Sequence, residues 1–76
     1  MLQSDAKLIV EREYSMWRAT QLDNLAPNGR ADDWAFCSYI YEKYPSIHNM
    51  RSQIGWRKKV EIWVKPMEDA IVMRGN

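Results

Sequence analysis

Arg57-Lys58-Lys59-Val60-Glu61-Ile62-Trp63-Val64-Lys65-Pro66 is the stretch whose reading decides the fold. Over 58–65 its residues alternate, with Val60, Ile62 and Val64 on one side and Lys59, Glu61, Trp63 and Lys65 on the other. Period two with β-branched residues predicts a half-buried strand, its valines and isoleucine in the core and Lys59, Glu61 and Lys65 in solvent. A lone strand leaves its backbone groups unpaired. Ala70-Ile71-Val72-Met73-Arg74 is therefore expected to pair back across a turn at Pro66-Met67-Glu68-Asp69. The alternative is a last short helix from Pro66, a good first helical residue, with Glu68 and Asp69 in its first turn.

Upstream of this stretch the periods are helical. Residues 5–22 predict a helix capped by Ser4 or Asp5, with Ala6, Ile9, Val10, Met16 and Trp17 on one arc and Lys7, Glu11, Ser15 and Arg18 opposite. Pro27-Asn28-Gly29 is a turn signal, because proline presets φ and Asn-Gly tolerates positive φ. A second helix starts at Asp32 or Asp33, carries Trp34, Phe36, Cys37, Ile40, Tyr41 and Tyr44 over nearly half its circumference, and ends before Pro45. That width predicts a central helix with Trp34 in the core. Ser46 is expected to cap a short helix over 46–54, with Ile47, Met50 and Ile54 on its apolar side and Gly55 just past its end.

The expected fold is α+β: a single domain of three helices and a C-terminal β-hairpin, in the element order of a winged helix-turn-helix. The alternative is mostly α, with one strand and a last short helix. At 76 residues the chain suits one domain, and its size makes a homodimer a reasonable expectation. Its longest apolar runs are four residues, Trp34–Cys37 and Ala70–Met73, against the 20 or so of a spanning helix, so no membrane association is expected. Asp5 and Lys7 stand where a signal peptide would be apolar. One unpaired cysteine points to the cytoplasm.

Composition argues against catalysis. Cys37 falls on an apolar stripe and reads as a small core residue, and His48 has no carboxylate close in sequence to support it. Paired Cys or His at metal-site spacing and a glycine-rich phosphate loop are absent from the sequence, so no enzyme and no cofactor is expected. Charge is the stronger signal. Residues 1–45 hold 5 Lys+Arg against 7 Asp+Glu, and residues 46–76 hold 6 against 3.

The favoured expectation is a small DNA-binding accessory or regulatory protein, a size common among phage and bacterial accessory proteins. Asn49, Arg51, Ser52 and Gln53 on the short helix would enter the major groove, and Arg57, Lys58, Lys59 and Lys65 would hold phosphates. The rival expectation is an adaptor or inhibitor of a larger host protein. It would act through Trp56, an outward-facing Trp63, and Glu13, a carboxylate interrupting the apolar arc of the first helix and expected at its rim.

Overall fold

The computed structural model describes residues 1–74. Among them are three α-helices, α1 (Gln3–Ala19), α2 (Asp33–Lys43) and α3 (Trp56–Met73), with a 3₁₀ turn at Pro45–Asn49. No strand is present among the described residues. The hairpin, and the winged-helix order built on it, are therefore corrected to an all-helical fold, close to the mostly-α alternative but without its strand.

The correction follows from a competition of periods. Val60 and Val64 share a face in either structure, because positions four apart align in a helix as well as in a strand. Ile62 and Trp63 separate the readings. Ile62 is 47% exposed and Trp63 only 9%, whereas Val60 is sealed at 0%. Val60, Trp63, Val64, Met67 and Ile71 continue one helical stripe beyond the point where alternation stops. Lys65 is exposed, but Lys59 and Glu61 are only half-exposed, flanking the stripe. Pro66 lies inside the helix and does not start it. It has no N–H for the carbonyl of Ile62, and both residues are exposed, so that carbonyl faces water.

Local chemistry sets the other ends. Asp32 caps α2 by accepting from the Trp34 N–H at 3.0 Å. Tyr44 leaves the helical region at φ −133° ahead of Pro45. Gly29 closes the first loop at φ 80°. The expected helix over 46–54 shrinks to the five-residue 3₁₀ turn, entered from Tyr44 and not capped by Ser46. Gly55, at φ 87°, precedes α3 and does not terminate the short helix. Among the described residues, no helix is long and apolar enough to cross a membrane.

The core gathers Ala6, Val10, Tyr14 and Trp17 of α1, Phe36, Cys37 and Ile40 of α2, Ile47 and Met50, and the inner face of α3. Phe36 meets Tyr14 edge-on at 4.8 Å, a favoured aromatic geometry. Two residues expected elsewhere change places: Met16 is exposed and Arg18 is buried.

Arg18 is buried because it meets Glu68. Its Nε donates to Glu68 Oε1 at 2.8 Å and its Nη2 to Oε2 at 3.1 Å. The Tyr14 hydroxyl donates to Oε1 at 2.5 Å and the Ala31 N–H to Oε2 at 3.0 Å. Arg18 Nη2 also reaches the Gly29 carbonyl at 3.3 Å, so one cluster fastens α1, α3 and the connecting loop. Arg30 and Asp69 close the same loop from outside at 2.5 Å.

A second cluster surrounds Glu13, which is 2% exposed and not at the rim. Its carboxylate accepts from Tyr39 at 2.9 Å, Tyr44 at 3.0 Å and Lys43 at 3.0 Å, tying α1 to the end of α2. Burial raises the pKa of both carboxylates, but the donors outweigh it. Lys43, Tyr39 and Tyr44 hold Glu13 below its ordinary value, and Arg18, Tyr14 and the Ala31 amide do the same for Glu68.

Two outcomes test this arrangement. Val60→Ala is expected to cost about 2 kcal/mol and Ile62→Ala less than about 0.5 kcal/mol in urea unfolding, whereas a strand would make the two similar. The second is pH dependence. Both carboxylates titrate lower when folded, so their stability is complete above the ordinary glutamate value of about 4.3. It is lost as pH falls through the folded values. The urea midpoint should fall steeply below about pH 4, and Glu13→Gln/Glu68→Gln should flatten that fall.

Candidate interaction surface

α2 and α3 pack so that their edges form a column of side chains along one side of the molecule. Its first member is Trp34, in the first turn of α2. The Arg57 guanidinium carbon sits over the Trp34 ring at 4.3 Å and over the Trp56 ring at 4.9 Å. Trp56 lies 5.6 Å from Tyr41, and Tyr41 lies 5.7 Å from His48. Five side chains from two helices and the 3₁₀ turn thus make a ladder.

Helical spacing explains it. Trp34 and Tyr41 are seven residues apart, so both lie along one edge of α2. The apolar arc of α2 is wider than its neighbours can cover. Phe36, Cys37 and Ile40 fill the core, and the edge stays outside. Trp34 is 63% exposed, against its expected place in the core, and Tyr41 is 40% exposed. His48 Nδ1 lies 2.6 Å from the Pro45 carbonyl, which fixes the ring at the end of the column.

The residues expected to bind DNA are not brought together. Asn49, Arg51 and Gln53 are exposed, but Arg51 and Gln53 lie past the end of the 3₁₀ turn. The Arg51 carbonyl accepts from Gln3, and Ser52 Oγ accepts from the Ile54 N–H at 3.3 Å. Consecutive helical residues point about 100° apart, so Arg57, Lys58 and Lys59 fan around α3. Arg57 joins the ladder, Lys58 lies 3.7 Å from Glu61, and Lys59 lies over the Trp63 ring at 5.8 Å. Lys58 and Lys65 share a cleft of about 480 Å³ with Arg30, but Asp33, Glu61 and Glu68 line it too.

The rival set also changes. Glu13 and Trp63 are buried, and Trp56 alone stays partly open, as the middle of the ladder. The reading of residues missed Trp34 and Tyr41. Their signal is the excess width of the α2 arc, which fits an exposed edge as well as a central helix. Cys37 lies in the core, where burial pushes its thiol up to about 11, away from nucleophilic use near neutral pH. Among the described residues no three His, Cys, Asp or Glu side chains are placed to hold a metal ion.

Comparison with protein-family models, with curated proteins and with solved structures finds no match to this chain.

Proposed function

We propose that this chain is a small non-catalytic protein-interaction module of the reducing cytoplasm, docking on a folded partner through the Trp34–Arg57–Trp56–Tyr41 ladder. The observation that carries the reading is the exposed indole of Trp34, backed at 4.3 Å by the Arg57 guanidinium. Trp, Tyr and Arg are the residues that dominate interface energetics when a partner buries them. Here they already contact one another, so docking orders few new rotamers. Ile54, 51% exposed, adds apolar surface from the segment leading into α3.

The partner's chemistry follows from charge. The first turn of α3 holds Arg57, Lys58 and Lys59 and no carboxylate. Further along, Glu68 and Asp69 are engaged by Arg18 and Arg30. Asp32 and Asp33 flank Trp34, and Glu61 lies beside Lys58, so the ladder's own charge is Arg57 and the complementary surface is an apolar cleft that offers it an acidic group. Duplex binding has less support, because the cations fan around α3 and no helix of recognition length spans 46–54. Stacking of several unpaired bases has less support too, since the inner members of the ladder already contact one another.

The test is nuclease-treated affinity capture from host lysate, followed by titration of the captured protein. Trp34→Ala should weaken binding by about 2 kcal/mol or more, and Tyr41→Ala by a smaller amount. Leu8→Ala, at an exposed apolar position of α1, should change it by less than about 0.5 kcal/mol. Equal binding by Trp34→Ala, or retention that requires nucleic acid, would contradict the reading.

A further inference from the structure

Among the described residues, one buried side-chain nitrogen or oxygen has no hydrogen-bond partner: Nη1 of Arg57. Three other arginines fare differently. Arg12 donates to Tyr44, Arg18 to Glu68, and Arg30 to Asp69. Arg57 is held by its two indoles, and the nearby Glu61 pairs with Lys58. A buried donor without an acceptor is rare enough in folded proteins to need a reason. The guanidinium is a rigid planar fork of five donors, and it rests against both indoles before anything binds.

We propose that Arg57, held between Trp34 and Trp56, receives a carboxylate of the docking partner, an Asp or Glu side chain entering along the N–H edge of the guanidinium. The inference rests on the ladder being the docking face. A carboxylate is planar and takes two parallel N–H bonds from an arginine in the arginine's own plane. It can lie flat between ring systems, whereas a tetrahedral phosphate turns an oxygen toward the negative face of a ring. Trp34, on one face of the guanidinium, is largely exposed, so an acceptor approaches without displacing a core residue. Lys58 is beside Glu61 and Lys59 lies over Trp63, so the charge that meets an anion here is that of Arg57 itself.

The test is an NMR titration of the ¹⁵N-labelled full chain with sodium acetate, run beside inorganic phosphate and sodium chloride at matched ionic strength. Acetate should produce saturable shifts in the Arg57 Nε–H and in the Trp34 and Trp56 indole N–H signals, and none in Trp17. Arg57→Lys keeps the charge but loses the fork, so acetate affinity should fall at least about tenfold while the Trp17 signal shows the fold intact. No saturable shift, the same shift with chloride, tighter binding of phosphate, or an unchanged Arg57→Lys variant would each overturn the proposal. If partner capture still depends on Trp34 in that case, the carboxylate inference falls and the docking face stands. If capture ignores Trp34, the docking face falls as well.

Discussion

Glu68 lies buried at the edge of the apolar stripe of α3, and everything around it has to answer for that. An ionised carboxylate out of water is costly unless it is paired and hydrogen-bonded. Here Arg18, Tyr14 and the Ala31 amide supply four donated bonds between them, drawn from α1 and the connecting loop. Such a pair adds little net stability over apolar residues of similar size, but removing one partner strands the other charge. Its consequence is positional. Only one rotation of α3 brings Glu68 to Arg18, and that rotation also points Val60, Trp63 and Val64 inward. The same rotation sends Arg57 to the α2 edge.

The two carboxylate clusters also divide the chemistry of the chain. Glu13 draws Tyr39, Tyr44 and Lys43 inward, and Glu68 draws Tyr14 and Arg18. Trp17 and Trp63 fill the core. The aromatics left over, Trp34, Tyr41 and Trp56, collect on one edge with Arg57, whose buried Nη1 has no acceptor among the described residues. The proposed docking face is thus what remains when the buried polar demands of a small core have been met.

Much of this was legible before the coordinates. The second helix with its Asp32 cap, the turn at Pro27-Asn28-Gly29 and the break before Pro45 each rest on local backbone chemistry, and each is where the residues put it. The first helix exists as expected but runs Gln3–Ala19 and not 5–22: Leu2 stands at its N-cap with no side-chain cap, so neither Ser4 nor Asp5 caps it. The C-terminal third was misread because Val60 and Val64 satisfy both periods within an eight-residue window. Met67 and Ile71, further along, complete the helical stripe, and Pro66 obscured them by suggesting a boundary. Glu13 and Arg18 were misplaced for a different reason. A charged residue on an apolar arc carries no sign of the partner that will accept it, and here the partners lie 26 to 50 residues away. Of the ladder, Trp56, Arg57 and the exposed His48 are visible as residue types, but their assembly with Trp34 and Tyr41 needs the packing of α2 against α3.

The dependence of the fold on one buried pair is open to direct measurement by a double-mutant cycle. Arg18→Met, Glu68→Gln and the double variant would be unfolded in urea at neutral pH. If the pair sets the packing of α3 on α1, each single change strands a buried partner, and the double change costs less than their sum by about 2 kcal/mol or more. Costs that add within about 0.5 kcal/mol would show two independent side chains and would contradict the account.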